Sequence, residues 1–481
     1  MQRKFLTSLS ILLFLNLLVK PLWFFGIDRE VQNIVGAESY GLYLALLSLT
    51  IILNILLDFG IRNFNNRNIA QNEQLLGKHL SGILIIRLLF GVLYFVIVFA
   101  VALLLGYRDV SLQLLGFLAF NQFLFMTIQY LRSNISGLML FKTDSVLSVL
   151  DRLIMILLAG FLIYNNATRQ QFTIEWFVYT QTAAYLLTAI ITFIIVVKKA
   201  KFIRLTWNWP FIVLIIRKSF PYALLILLMT FYNRFDPIIL ERMLPAGIGA
   251  KQAGIYAHGF RVLDFFNNIA VLFSVILLPL FARMIKMKEN LTGIIRLTVS
   301  ILFTTSVIIA IGTCFYAFEI MDLMYDAEIS ESARIFAFMM FNFIAIAMTY
   351  IFGTLLTANG SLKTLNMVAA IGVLINLLLN FLLVPKMLAM GSVVASLSAQ
   401  FFTALVQIIL AARLFNLELK IRYLLVLASF AAFVLLITYF SKMLPFDWML
   451  NFGLMVTVSA IAAFALKLLN LKELWIIIKN R

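Results

Sequence analysis

The 481-residue chain has few charged residues and almost no cysteine. Asp, Glu, Lys and Arg make up 12% of it, whereas about a quarter of an ordinary soluble protein is charged. Hydrophobic residues account for 63%, and the mean hydropathy of +1.03 indicates a protein of the lipid bilayer. The single cysteine, Cys314, excludes an internal disulfide and argues against a cysteine-based metal site. The chain must therefore be held together by helix packing.

Two motifs of nucleotide-dependent proteins are also missing. No GxxxxGKS/T stretch occurs, so the chain contains no P-loop ATPase. No Asp-x-Asp pair occurs that could hold a metal-bound sugar nucleotide. We therefore expect no enzymatic activity, no catalytic residue, no metal and no cofactor, while coupling to H⁺ or Na⁺ is left open.

The apolar runs predict about 14 transmembrane helices joined by short loops. A spanning helix needs about 20 apolar residues, since lipid offers no partner to an unsatisfied backbone amide. The net charge of +17 does not imply nucleic acid as a partner, because in a membrane protein the positions of Lys and Arg along the chain are what matters. These residues concentrate in alternate loops, which places both termini in the cytoplasm by the positive-inside rule.

One short pattern occurs twice, in residues 34–43 (IVGAESYGLY) and in residues 247–256 (GIGAKQAGIY). At a constant offset of 213 residues, two glycines, an alanine and a tyrosine coincide. Both copies precede a predicted helix from the outer side, which indicates two halves of six helices that run in the same direction. The small residues predict a tight turn and a close approach of helices, and direct substrate contact is the less favoured alternative.

The repeat divides the chain into three predicted parts. Residues 1–200 form an N-terminal lobe of six helices, and residues 201–415 form a C-terminal lobe of six helices. Residues 416–481 supply two additional transmembrane helices and a cytoplasmic tail. The basic loop that begins at Lys198 is the predicted linker between the lobes. The predicted fold class is thus an all-α integral membrane protein.

Three stretches resemble a known family. They read YGLYLALLSLTIILNILLDFGIRNFNNRNIA in the first half, then YNRFDPIILERML and AGIYAHGFRVLDFFNNIAVLFSVILLPLFARM in the second. In these stretches the chain is similar to polysaccharide-transport proteins, the O-antigen flippases and relatives of the multidrug/oligosaccharidyl-lipid/polysaccharide exporter superfamily. The resemblance covers nearly the whole chain and implies a MATE-like fold of two six-helix bundles plus two helices. It also implies transport of an undecaprenyl-diphosphate-linked oligosaccharide across the bacterial inner membrane by alternating access, through a cationic central cavity.

The partners implied by this resemblance are the lipid bilayer, a lipid-linked oligosaccharide with its diphosphate, a glycan polymerase and glycosyltransferases. The glycan would belong to O-antigen and lipopolysaccharide synthesis or to a capsule or exopolysaccharide. A cation-coupled multidrug antiporter of the same fold is one alternative, and the mixed signs of the charges in the predicted spans decide little against it. A membrane glycan polymerase or ligase is the other, but such an enzyme is expected to carry a large outer loop, and the outer loops here are short.

Ionisable residues inside a span cost roughly 2.5–3.5 kcal/mol at the bilayer centre and therefore indicate function. The predicted span 254–280 carries four polar residues at spacings of three and four: His258, Arg261, Asp264 and Asn268. This spacing puts them on one face, which must point away from lipid. An Arg261–Asp264 ion pair that holds the bundle is one interpretation. In the other, Arg261 binds the diphosphate together with His258 and Asn268, and Asp264 orients Arg261 or senses a coupling ion.

Two further cations occupy matching places in the two halves. Lys20 lies one turn after Asn16 at the outer end of the first predicted helix, and Arg234 lies with Asp236 at the outer end of the seventh. We expect Lys20 and Arg234 to face each other across a shared cavity and to bind substrate, with Asp236 in an orienting or ion-coupling role. Snorkelling of Lys20 to the membrane interface is the alternative.

The remaining charges in the first half are predicted to be mainly structural. Asp58 and Arg62, four residues apart, favour a solvated cap or an interfacial pair, with ion coupling or orientation by Asp58 as the alternative. Arg87, five residues into the third predicted helix, is predicted to snorkel. Asp151 and Arg152 point in different directions, and each is predicted to find a partner.

Overall fold

A computed structural model describes residues 14–16, 18–59, 75–138, 140–200, 209–417 and 421–469. These residues form helices joined by short connections, and no strand occurs among them, which confirms the predicted all-helical class. The chain divides into two compact units, Met1–Gly254 and Ile255–Arg481. The predicted lobes, which end at residues 200 and 415, follow the sequence repeat and stay a prediction.

Most helices of the first unit are long, because an apolar segment in lipid can satisfy its backbone hydrogen bonds only within itself. In chain order they are the π-helix Phe24–Asp28, α1 (Arg29–Leu53), the 3-10 helix Asn54–Leu57, α2 (Leu75–Leu104), α3 (Val110–Gly137), α4 (Phe141–Tyr164), α5 (Asn166–Arg169), α6 (Ile174–Ala200), α7 (Trp209–Arg234) and α8 (Asp236–Met243). The last two are separated by a sharp bend.

Helix α9 (Ile248–Met287) begins in the first unit and continues into the second. It is followed by α10 (Thr292–Phe315), α11 (Ala317–Met324), α12 (Ile329–Met339), α13 (Asn342–Ala358), α14 (Leu362–Met387), α15 (Ala389–Leu414), α16 (Ile421–Ser441) and α17 (Trp448–Ala465). The predicted span 254–280 therefore lies inside one 40-residue helix.

Eleven helices among the described residues are long and apolar enough to cross a membrane. The number becomes twelve if the bent pair Phe220–Arg234 and Asp236–Met243 counts as one span. The protein is accordingly a multi-pass membrane protein, and the predicted number of 14 spans stays a prediction.

The first candidate span, Phe14–Leu57, covers two helices that the sequence predicts as separate, 5–25 and 40–59. The predicted loop between them, residues 26–39, is helical except at Gly36. Gly36 has φ 76° and ψ 167°, a conformation that glycine adopts readily because it has no Cβ. The break that the sequence predicts as an open loop is thus confined to one residue.

Large apolar side chains are exposed on the helices, as expected of a protein whose solvent is lipid. Leu104 is 87% exposed and Leu157 is 72% exposed. Polar side chains are enclosed instead, and the hydroxyl of the buried Ser392 on α15 donates a hydrogen bond of 2.7 Å to the amide oxygen of the buried Asn380 on α14. Such interhelical hydrogen bonds, together with small residues, hold spans together where lipid removes the hydrophobic driving force.

The two copies of the repeated pattern pack against each other within the first unit. A Cβ atom placed on Gly41 would lie 1.8 Å from the carbonyl oxygen of Ala250, and one placed on Gly254 would lie 1.8 Å from that of Ala37. The offset of 213 that relates Ala37 to Ala250 also relates Gly41 to Gly254, so the contact is reciprocal. Small residues at a spacing of four allow two helix backbones to touch in this way. The predicted close approach of helices is confirmed.

Candidate functional site

His258, the first residue of the predicted polar stripe, is buried in the second unit. Its Nδ1 atom lies 2.7 Å from the hydroxyl of Ser332 at the start of α12, and its ring stacks on Tyr325 with 3.8 Å between the ring centres. Tyr325 in turn donates a hydrogen bond of 3.3 Å to the backbone carbonyl of His258. These contacts tie α9 to α12 and to the segment before it. A contact of His258 with substrate stays a prediction.

The other residues of the stripe are more accessible. Arg261 and Asp264 are half-buried, and Asn268 is exposed. Asn268 donates a hydrogen bond of 2.7 Å from Nδ2 to the backbone carbonyl of Asp264, which holds the amide against its own helix. Because α9 is continuous here, the spacing of three and four residues keeps them on one side. A half-buried guanidinium is suited to binding an anionic group through charge-assisted hydrogen bonds.

The predicted pair Arg234 and Asp236 lies where α7 and α8 meet at a bend of 48°. Pro237 has no N–H, so it cannot continue the hydrogen-bond ladder of α7. Asp236 is fully buried in the first turn of α8, and Arg234 is half-buried in the last turn of α7. Each charge is stabilised by the helix end on which it lies. Discontinuous helices of this kind are typical places for substrate and ion sites in transporters.

Lys20 lies in the helical residues 18–23, which precede the π-helix and pack against α4. Asn16 donates a hydrogen bond of 3.2 Å to the hydroxyl of Ser148, and the guanidinium of Arg152 lies 5.1 Å from the ring centre of Trp23. Asn16, Lys20 and Trp23 are spaced by four and three residues and therefore share one face. Arg152, predicted only as a structural residue, belongs to the same helix pair as Lys20. The four-residue spacing of Ser148 and Arg152 is the signal for it in the sequence.

Arg87 does not snorkel, and that prediction is wrong. Its side chain is 3% exposed and forms an ion pair with Asp58 at 3.0 Å, and its guanidinium lies 5.2 Å from the ring centre of Tyr130. Asp58 follows the 3-10 helix, and the turn of the chain there brings its carboxylate next to Arg87. The guanidinium therefore has an acidic partner within the first unit. Asp58 thus positions Arg87, while its coupling role stays a prediction, and Arg62 lies outside the described residues.

One buried carboxylate is missed by sequence reasoning. Asp28 is 3% exposed at the end of the π-helix, accepts a hydrogen bond of 2.9 Å from the hydroxyl of Tyr40, and accepts one of 3.3 Å from the side-chain amide of Gln32. It is missed because residues 26–39 read as an open loop, although Asp28 and Gln32 stand at helical spacing. Single π-helical turns in membrane and soluble helices are frequent at functional sites.

A second missed cluster ties α8 to the connection between α2 and α3. Tyr107 donates a hydrogen bond of 2.7 Å to Glu241, and Arg242 forms an ion pair of 2.6 Å with the same carboxylate. The guanidinium of Arg242 also lies 3.5 Å from the ring centre of Tyr107. Burial raises the pKa of the Tyr107 phenol, and the negative charge of Glu241 raises it further. The phenol therefore stays a hydrogen-bond donor at neutral pH.

Residues 7–285 match the family model described as polysaccharide biosynthesis protein. The chain belongs to the polysaccharide biosynthesis protein family. The three stretches on which the predicted resemblance depends all lie inside the matched range, and the predicted family is confirmed. The chain matches no curated protein sequence significantly.

Several solved structures are similar to this chain in fold. The lipid II flippase MurJ, in an inward closed conformation, is 11% identical with a TM-score of 0.73, over 98% of this chain and 100% of that one. An inward-facing MATE family multidrug resistance transporter of the MOP superfamily is 11% identical with a TM-score of 0.64, over 85% and 98%. A MOP superfamily transporter from Pyrococcus furiosus, described as having a binding pocket of reverse polarity, is 14% identical with a TM-score of 0.59, over 85% and 95%. These similarities confirm the predicted MATE-like fold.

Proposed function

We propose that this protein is a flippase that moves an undecaprenyl-diphosphate-linked oligosaccharide across the bacterial inner membrane by alternating access. The oligosaccharide would be a unit of O-antigen, capsule or exopolysaccharide. The observation that carries the proposal is membership of a polysaccharide biosynthesis family in a chain built of membrane-spanning helices. A diphosphate and its sugars cannot cross the hydrocarbon core unaided, because charged and polar groups are costly there. In the part of the chain that the structure describes, the connections between helices are short, so a membrane protein of glycan synthesis built in this way is best suited to translocation.

The fold supports this proposal. One structure with the same fold is that of a lipid II flippase, and others are those of multidrug resistance transporters. A multidrug antiporter is thus the rival function, and the family match to polysaccharide biosynthesis favours the flippase over it.

Three cations are proposed to bind the diphosphate: Lys20, Arg234 and Arg261. Arginine is suited to this task because its planar guanidinium can donate two parallel hydrogen bonds to a phosphate. His258 and Asn268 are proposed to complete the substrate contacts next to Arg261. Asp264 and Asp236 are proposed to orient Arg261 and Arg234, and Asp58, which pairs with Arg87, to act in orientation or ion coupling. H⁺ or Na⁺ gradients or the membrane potential are proposed as the energy source.

The test is a translocation assay on the purified protein. Proteoliposomes are loaded with an undecaprenyl-diphosphate-linked oligosaccharide, and the fraction accessible to an external lectin is followed with time. We expect Arg261→Ala to abolish translocation and Arg261→Lys to retain part of it, because Lys keeps the charge but not the paired donors. Arg283→Ala is the matched control, since Arg283 is an exposed arginine of the same helix. Equal translocation by Arg261→Ala and the wild type would remove Arg261 from the site.

The same proteoliposomes separate the two functions. A flippase moves the lipid-linked glycan and leaves a cationic dye outside, whereas a multidrug antiporter accumulates the dye against an imposed H⁺ or Na⁺ gradient. In cells, deletion of the gene is expected to remove surface glycan without changing resistance to cationic drugs. Genes for glycosyltransferases and a glycan polymerase next to this one would support the proposed partners.

A further inference from the structure

A cavity of about 770 Å³ lies at one end of the helices of the second unit. Its walls come from the end of α9 and the connection that follows it, the first half of α10, the C-terminal end of α15 and the connection that follows it, and the start of α16. Two residues of α13 complete the lining. The volume falls within the roughly 300–1,000 Å³ of small-molecule binding sites. None of the residues proposed to bind the glycan carrier lines it. The cavity is thus a separate feature whose use the transport proposal leaves unexplained.

The inner wall of this cavity is apolar. Successive lining positions on α10, from Ile295 through Val299 to Phe303, follow one face of the helix, and Met348 and Phe352 of α13 face the same space. At about 1.5 Å per residue, the three α10 positions mark out roughly 12 Å of apolar wall. A wall of this length is suited to part of an acyl chain rather than to a sugar or a nucleotide.

The rim of the cavity is polar and carries two cations. Lys288 lies in the connection between α9 and α10, and Arg296 lies one turn into α10. Glu289 is the one carboxylate among the lining residues, so the rim has a net positive charge. Among the residues that the structure describes, no carboxylate lies within ion-pair distance of Arg296.

Arg296 is exposed, and its guanidinium lies over an aromatic ring. It lies 4.9 Å from the ring centre of Tyr423, which also lines the cavity. The hydroxyl of Tyr423 donates a hydrogen bond of 3.1 Å to the backbone carbonyl of Arg296 and lies 2.9 Å from the hydroxyl of Ser300. A side chain that is already oriented loses less conformational entropy when it binds an anion.

We propose that this cavity binds an anionic phospholipid of the surrounding membrane. The headgroup phosphate contacts Arg296 and Lys288, and one acyl chain lies along α10 between Val299 and Phe303. The rim consists of helix ends and connections, which is where phosphates lie when helices cross a bilayer. The positive rim selects an anionic headgroup over a zwitterionic one, and the apolar wall selects a lipid over a soluble phosphate. This inference does not depend on the proposed transport function.

The test is retention of lipid by the purified protein in detergent, measured by native mass spectrometry. Phosphatidylglycerol is the anionic probe, phosphatidylcholine is the zwitterionic probe, and inorganic phosphate is the probe for a bare anion site. A basic residue near the membrane surface contributes about 1 kcal/mol, or about fivefold in affinity. We therefore expect Arg296→Gln and Lys288→Gln each to weaken phosphatidylglycerol retention about fivefold and to leave phosphatidylcholine unchanged. Arg283→Gln, an exposed cation outside the cavity, is the matched control.

A second variant tests the acyl chain separately from the charge. Val299→Trp fills the apolar wall and is expected to weaken retention of both phospholipids while the rim keeps its charge. If this variant does not fold, the two charge variants decide by themselves. Unchanged retention in the Arg296→Gln/Lys288→Gln double variant would overturn the proposal, as would an equal loss in Arg283→Gln. Binding of inorganic phosphate as tight as that of phosphatidylglycerol would also overturn the proposal. So would a site from which bound phosphatidylglycerol is displaced only by undecaprenyl phosphate. None of these measurements involves translocation, so either proposal can fail alone.

Discussion

Gly254 packs directly on the carbonyl group of Ala37, because a Cβ atom at residue 254 would lie only 1.8 Å from that oxygen. The repeat places the same contact between Gly41 and Ala250. The duplicated sequence pattern is therefore explained by a reciprocal backbone contact, in which each copy needs a glycine at the position that meets the other copy's alanine.

This contact predicts that neither glycine can be replaced. Gly41→Val and Gly254→Val are each expected to destabilise the protein by at least the roughly 1–3 kcal/mol typical of an overpacked interior, since the obstructing atom belongs to a backbone that cannot swing away. The measurement is the thermal unfolding temperature of the detergent-solubilised protein. Gly453→Ala is the control, because a Cβ there meets nothing within 4 Å, and its unfolding temperature should stay the same or rise. Wild-type stability in either valine variant would contradict the close contact.

The ion pair between the buried Arg87 and the half-buried Asp58 predicts a non-additive effect on stability. Asp58→Asn removes the carboxylate that faces the buried guanidinium of Arg87 and is expected to cost about 3–5 kcal/mol. Arg87→Met leaves a half-buried carboxylate and is expected to cost less, because Asp58 keeps some access to solvent. The double variant is expected to lose much less than the sum, because no unpaired charge remains. A double-mutant cycle on the free energy of unfolding checks this coupling.

The ion pair between Lys442 and Glu319 is the matched comparison, since both of its side chains are partly exposed. Lys442→Ala is expected to cost less than about 1 kcal/mol. Additive losses at residues 58 and 87, or losses as small as that of Lys442→Ala, would show that the Arg87 pair is not buried in the membrane-embedded protein.

The contacts of His258 predict a structural effect that can be separated from transport. His258→Phe keeps the stack on Tyr325 but leaves the buried hydroxyl of Ser332 without its partner, at a cost of about 1–3 kcal/mol. Adding Ser332→Ala is expected to restore most of that stability. The translocation rate per folded molecule then tests the proposed substrate contact, which requires the rate to fall in both variants. An unchanged rate would restrict His258 to packing.

The buried Tyr107 predicts a stability loss in alkali. A free tyrosine ionises near pH 10, whereas burial and the charge of Glu241 raise the pKa of Tyr107 in the folded protein. Above about pH 10 the unfolded chain binds fewer protons than the folded one, so the stabilisation decreases as the pH rises. Tyr107→Phe is expected to be less stable at pH 8 and to approach the wild type by about pH 11. Unfolding temperatures across this range check the trend, and parallel curves for the two proteins would contradict it.

The helical part of the fold could be predicted because lipid leaves the chain no other way to satisfy its backbone. The apolar runs indicate the spans, and the exposed Leu104 and Leu157 agree with a lipid-facing surface. Connections were less accessible to prediction. The stretch around Gly36 contains polar residues that indicate a loop, yet the structure keeps it helical on both sides of one glycine.

For the candidate site, the sequence shows which helix face carries a charge but not what that charge meets. The stripe from His258 to Asn268 follows from helical spacing, whereas the stack of His258 on Tyr325 joins residues 67 positions apart. The position of Arg87 near a helix end predicts snorkelling. The structure instead pairs it with Asp58, which lies 29 residues earlier in the chain. The sequence does not show that Asp28 is buried, because its burial depends on packing against Tyr40 and Gln32.

The amino-acid sequence by itself determined that this protein lies in a membrane, that it is helical, and that one short pattern occurs twice, because hydropathy and repetition are properties of the chain alone. Only the tertiary structure decided which charges are paired, which glycines carry a backbone contact, and where a cavity of about 770 Å³ with a cationic rim lies. Those outcomes depend on contacts between residues far apart in the chain, and the free energy of a buried charge is set by the partner it meets.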